Sequence, residues 1–149
     1  MSNAYGGIVN LAILVVFLVI VSGFLAFSVA YNKAFRVKNK MISSIEVCEG
    51  IVDNDNDCAV KSIEDYMKSI GFNSDSSWKL DPTELKNGTC RNGYCWDKIE
   101  APNASKENPK YYYKVATAVN IDLPVLSKIL PQMKIFRVSG TTKNISVKK

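Results

Sequence analysis

Residues 8–31 read IVNLAILVVFLVIVSGFLAFSVAY, without a charged residue or a proline. About two dozen apolar positions exceed the ~20 needed to cross a ~30 Å hydrocarbon core, so this run predicts a membrane-spanning helix. Past residue 31 the pattern changes without breaking. Ala34, Val37, Met41, Ile45 and Cys48 recur at spacings of three and four, while Lys33, Arg36, Lys38, Lys40 and Ser44 mostly take the other faces. One continuous helix over residues 8–49 is therefore expected, roughly 60 Å long at ~1.5 Å per residue. Its first half lies in lipid and its second lays an apolar stripe on a folded domain, with Gly50 as the C′ stop.

The remaining pattern is shorter in period. Asp57 is an N-cap for a second helix over residues 58–70, with Val60, Ile63, Met67 and Ile70 inward and Gly71 at its end. A polar stretch over residues 73–77 leads to Trp78 and Leu80. Asn92-Gly93 inside Thr89-Cys90-Arg91-Asn92-Gly93-Tyr94-Cys95-Trp96 is the strongest short signal for a type I′ hairpin. That register sets Arg91 opposite Tyr94, and Cys90 opposite Cys95 in a close, non-hydrogen-bonded pair. Residues 101–110 form a loop rich in polar residues and proline. Beyond it Tyr111, Tyr113, Val115, Thr117, Val119 and Ile121 alternate with Tyr112, Lys114, Ala116, Ala118 and Asn120 as a strand. A helical turn over residues 125–130 and strands over residues 133–138 and 144–147, joined around Gly140, complete the pattern. The expected class is α+β: a long N-terminal transmembrane helix continuing into a small domain with a second helix and an antiparallel sheet of three to five strands. Its parts are residues 1–7 as a short leader, 8–50 as the long helix and 51–149 as one extracytoplasmic domain.

Composition narrows the function more than it names it. The chain has 149 residues, room for one small domain behind the helix, and no histidine, the commonest general base and metal ligand. No nucleophile–base pair, phosphate loop or paired carboxylates stand out, so an enzyme is not expected. The net charge of +5 fits lipid headgroups or nucleic acid, and its spread along the chain gives no reason to expect nucleic acid.

Four cysteines fall into two local pairs, Cys48 with Cys58 and Cys90 with Cys95, which reads as two disulfides on an oxidising, extracytoplasmic side. A four-thiolate zinc site and free buried thiols are the alternatives; the nine residues between Cys48 and Cys58 are outside the usual zinc-ligand spacing. Lys33, Arg36, Lys38 and Lys40 follow the span, and by the positive-inside rule they argue for a cytoplasmic domain. The cysteines are given the greater weight. A cleaved signal peptide is a third option, with Ser28-Val29-Ala30 as its cleavage site, but the apolar run exceeds the usual ~7–15 residues.

Three further sets of residues have candidate roles. Ser22, Ala26, Ala30 and Ala34 recur every fourth residue as a small-residue stripe, which lets a second helix approach closely in lipid. Asp53, Asp55, Asp57 and Glu64 have the spacing of EF-hand positions 1, 3, 5 and 12, though Cys58 replaces the position-6 glycine. Calcium in a loop of another geometry, or a solvated loop ending in an N-cap, are the two readings. Tyr111-Tyr112-Tyr113 between Lys110 and Lys114 is either a half-buried sheet face or a stacking surface. Asn87-Gly88-Thr89, Asn103-Ala104-Ser105 and Asn144-Ile145-Ser146 are acceptor-type sequons.

The order Gly6-Gly7, apolar helix, continuation through Phe35-Arg36-Val37-Lys38-Asn39-Lys40 and cysteine-tied antiparallel domain resembles the type IV pilin-like proteins, in particular the short TadE-type ones. The resemblance covers the whole chain as architecture. It implies processing at Gly6 or Gly7, an exported C-terminal domain, and lateral packing of N-terminal helices with further copies or other pilin-like subunits. The family's glutamate at the fifth position after cleavage is replaced here by Leu11, counting from Gly7. A pilin-like structural subunit or accessory component of a surface filament or secretion apparatus is the expected function, with membrane lipid and like subunits as partners and no cofactor. A membrane-tethered binding module that never polymerises is the rival.

Overall fold

A computed structural model describes residues 2–72, 88–102, 109–120 and 135–146. Helix α1, Ser2–Val47, is unbroken over 46 residues, about 69 Å at ~1.5 Å per residue. Helix α2 is Cys58–Ser69, and the strands are β1 Thr89–Arg91, β2 Tyr94–Glu100, β3 Lys110–Asn120, β4 Ile135–Thr141 and β5 Ile145–Ser146. The class is α+β, with both helices preceding one antiparallel sheet. The polar stretch before Trp78 and Leu80, the turn over residues 125–130, the start of the strand at Met133 and the sequon asparagines Asn87 and Asn103 lie outside the described residues.

Local chemistry explains the element ends. The Asp57 carboxylate accepts from the Ala59 and Val60 amides at 2.9 and 3.2 Å, closing the first turn of α2. At its other end Gly71, at φ 59°, occupies the left-handed C′ position while the Phe72 amide reaches back to the Met67 carbonyl. The end of α1 differs from the expected glycine stop. Glu49, at φ 56°, takes the left-handed position, and the Gly50 amide donates to the Ile45 carbonyl at 2.9 Å. Gly50 follows at φ 143°, and a Cβ there would stand 3.0 Å from the Tyr113 hydroxyl.

The sheet runs β1-β2-β3-β4, with β5 continuing beside β3 beyond β4. The β1–β2 turn is Asn92-Gly93, both at positive φ (45° and 80°), and the register sets Arg91 against Tyr94 and Cys90 against Cys95. Gly140 does not join two strands; it lies within β4, opposite Val115. The break between β4 and β5 falls instead at Thr142, whose hydroxyl accepts from the Tyr113 amide at 2.9 Å while its own amide donates to the Tyr113 carbonyl. The absence of a side chain at Gly140 lets α1 cross the sheet closely, since a Cβ would stand 3.0 Å from the Ile42 tip and 3.1 Å from Lys38.

One core joins these layers. Val37, Met41 and Ile45 of α1, Val60, Ile63 and Met67 of α2, Tyr94 and Trp96 of β2, and Tyr113 and Val115 of β3 are buried together. Strand residues paired across a sheet share a face, so Tyr94, Trp96, Tyr113, Val115, Thr117 and Val138 all point toward α1. Alternation along β3 does not leave its second face to solvent: Ala116 and Ala118, like Cys95 of β2, are buried too.

Candidate functional site

The apolar run forms the only helix among the described residues long and apolar enough to cross a membrane. Its side chains project outward all round: Leu11 is 66% exposed, Phe17 63%, Ile20 63% and Phe24 67%. Exposure of large apolar groups on every face is unfavourable in water and ordinary in lipid, which is as apolar as leucine. Toward the end of the run Tyr31 stacks on Phe27, ring centres 6.1 Å apart, and beyond it the Lys38 ammonium lies 4.1 Å over the Phe35 ring. Aromatic and basic residues grouped at the end of a span mark the headgroup level.

The small-residue stripe divides at this point. Ala34 is fully buried against Val138, with Ala30 and Phe72 packed alongside. Its small side chain brings the helix onto its own domain, so Ala34 is not available to a second helix and Ala30 is partly occupied. Ser22 lies on the exposed part of the helix, where its hydroxyl donates to the Leu18 carbonyl, and Ala26 is half-buried.

Two disulfides fasten the domain. Cys48–Cys58 closes the loop between the helices, and Cys90–Cys95 bridges the hairpin with Cα atoms 4.0 Å apart. There are no free cysteines, so the four are disulfide-bonded rather than gathered as zinc thiolates. Serine contacts and the Glu46 carboxylate add polar fastening: Ser44 donates to Ser62 at 3.1 Å, and the Lys143 amide donates to Glu46 at 2.9 Å.

The acidic loop holds a guanidinium rather than a metal arrangement. Arg91 donates from Nε to Glu64 at 2.8 Å, from one terminal nitrogen to Asp53 at 3.5 Å and from the other to Asp55. The Asn92 side-chain amide donates a hydrogen bond to the same Glu64 oxygen at 3.0 Å. The hydrogen bond that Arg91 donates to Glu64, then the one it donates to Asp55, raises its already high pKa further, so the charge is permanent. Three of the four residues read as calcium ligands therefore surround a fixed cation, while Asp57 caps α2. Among the described residues no group of three His, Cys, Asp or Glu side chains could hold a metal ion. This corrects the calcium reading of Asp53, Asp55, Asp57 and Glu64: the hairpin delivers the counter-charge. Exposed ion pairs contribute little singly; the arrangement's effect is to register the hairpin against α2 and the Cys48–Cys58 loop.

The tyrosine run is divided among different tasks. Tyr113 is buried beneath the Gly50 turn; burial raises its pKa, and a backbone hydrogen bond at Ile51 opposes the shift. Tyr111 carries the Lys98 ammonium 4.1 Å over its ring, and Tyr112 points to the opposite face, half-buried. Tyr94 stacks on Trp96 at 5.5 Å in the core, and its hydroxyl has no hydrogen-bond partner among the described residues. Burial is the main reason its pKa is pushed well above the usual tyrosine range, with the Glu64 charge adding to the shift.

Sequence reasoning missed Arg91 as the partner of the acidic loop. The available signal was a lone arginine beside a hairpin turn, with the loop's surplus of carboxylates lacking a counter-charge. No family model, curated protein or solved structure matches the chain.

Proposed function

We propose that this chain is a pilin-like structural subunit, or an accessory component of a surface or secretion apparatus, anchored through α1 with its domain outside the cytoplasm. The observation that carries this reading is the single helix Ser2–Val47, apolar on all faces in its first half and part of a disulfide-tied core in its second. A rigid helix fused to its domain transmits position from the membrane to the head without a flexible linker, which suits a subunit that stacks with others. The disulfides support an oxidising location for the domain. The tethered, non-polymerising module is favoured by one observation: Ala34 and part of Ala30 are occupied by the chain's own domain.

Cysteine cross-linking in native membranes separates the two. Single Ser22→Cys and Ala26→Cys variants, oxidised and run without reductant, are expected to give a covalent dimer, the limit for one free thiol per chain, while an exposed domain position such as Val52→Cys stays monomeric. Monomers alone at both helix positions would leave the tethered module as the correct reading.

A further inference from the structure

We propose that the outer half of α1 carries a docking surface for anionic lipid headgroups, formed by Lys33, Arg36 and Lys40, and that it seats the domain directly on the bilayer. This rests on the membrane-anchor reading above. Three observations carry it.

The first is charge order. From Ser2 to Ile45 α1 has no acidic residue, and its basic residues are confined to Lys33, Arg36, Lys38 and Lys40. From Met41 to Asp57 the order reverses: there is no base, and Glu46, Glu49, Asp53, Asp55 and Asp57 follow. The helix and the loop after it are thus positive where they leave the apolar run and negative at the far end, which suits an anionic surface below and repels one above.

The second is geometry. Lys33, Arg36 and Lys40 succeed one another at spacings of three and four and so share one face. Lys33 and Arg36 are exposed and Lys40 half-exposed, whereas Ala34, Val37 and Met41, each one residue further on and so about 100° round the helix, are buried in the domain. At ~1.5 Å per residue, Lys33 and Arg36 stand about 3 and 8 Å past Tyr31, and Lys40 about 14 Å. A headgroup layer is roughly 5–8 Å deep on each side. Helical side chains lean toward the N-terminus, as the Lys38 ammonium does over Phe35. Lys33 and Arg36 therefore fall within that layer, and Lys40 within about one Debye length (~8 Å) beyond it.

The third is how near the domain, among the described residues, comes to the end of the apolar run. Val138 of β4 and Phe72, next to the end of α2, pack on α1 at Ala30 and Ala34, within a turn of Tyr31. The domain begins at headgroup level, so its lower end meets the same surface as the basic face.

The full chain, reconstituted in nanodiscs of phosphatidylcholine with a minority of phosphatidylglycerol, tests this through the lipids retained with the protein, read by mass spectrometry. Phosphatidylglycerol is expected to be enriched over its bulk share, with enrichment falling as salt is raised. Each of Lys33→Gln and Arg36→Gln should lower the preference about fivefold, the equivalent of ~1 kcal/mol per basic residue at an anionic surface. Lys33→Arg should retain it, and Lys143→Gln, beside Glu46 at the far end, should leave it unchanged. Equal retention of both lipids by a chain that resists alkaline extraction overturns the proposal and leaves the anchor standing. Release by alkaline extraction defeats the anchor reading, and this one with it. Equal lipid retention, with Lys33→Gln instead abolishing cross-links between copies, also overturns it and makes the acidic end of a second copy the occupant.

Discussion

If residues 32–47 belong to the domain's core and do not merely lead to it, a fragment covering residues 32–149 folds and one covering 51–149 does not. Val37, Met41 and Ile45 are each fully buried against α2 and the sheet. Burying a side chain of that kind stabilises by about 1.5–3 kcal/mol, so the three together supply roughly 5–9 kcal/mol as an upper estimate. Whole small domains are stable by only about 5–15 kcal/mol, so the shorter fragment loses a stabilisation comparable to the total. Within the longer fragment Met41→Ala should cost ~2–5 kcal/mol, the price of a cavity in the core that α1 shares with α2 and the sheet. Val47, 77% exposed on the same helix, serves as the control, and Val47→Ala should stay within about 0.5 kcal/mol. Urea unfolding followed by tryptophan fluorescence, with Trp96 buried in that core, reads both. At a slope of about 1–3 kcal/mol per molar, Met41→Ala should lower the midpoint by on the order of 1–3 M. A cooperative transition in the 51–149 fragment at the same midpoint, or a Met41→Ala shift no larger than that of Val47→Ala, would refute the reasoning.

Two further outcomes follow from the same core. Replacing Cys48 and Cys58 by alanine should cost about 3 kcal/mol and replacing Cys90 and Cys95 about 2, because the loops they close, at separations of 10 and 5, differ in length; the reverse order in urea midpoints would show that packing around Cys95 dominates chain entropy. Tyr94→Phe should stabilise by about 1–3 kcal/mol, since it removes a buried hydroxyl that lacks a partner among the described residues. The folded-state pKa of Tyr94 is raised above the unfolded value near 10.0, so its contribution is complete below that value and is lost as pH rises through the folded one. Melting temperature should therefore fall in alkali, less steeply in Tyr94→Phe than in wild type, with Tyr113 keeping part of the slope. An unchanged slope together with a destabilised variant would mean that the hydroxyl is hydrogen-bonded.

What the sequence determined by itself was whatever its near neighbours could settle. The apolar run and the three-four spacing of Ala34, Val37, Met41 and Ile45 specify α1 because helical bonds join residues four apart. Asp57, Gly71 and Asn92-Gly93 place a cap, a stop and a turn through conformational preferences within a few residues, and that turn brings Cys90 opposite Cys95. The tertiary structure decided what depends on partners distant along the chain. Ala34 has the same small side chain whether it admits a second helix or the chain's own Val138, and only packing distinguished them. Gly140 read as a turn until α1 was seen to cross above it, and the carboxylates of the acidic loop read as metal ligands until the hairpin brought Arg91 among them. Local geometry is encoded residue by residue, but the identity of a contact between distant segments depends on how the whole chain excludes water, which no short stretch of sequence contains.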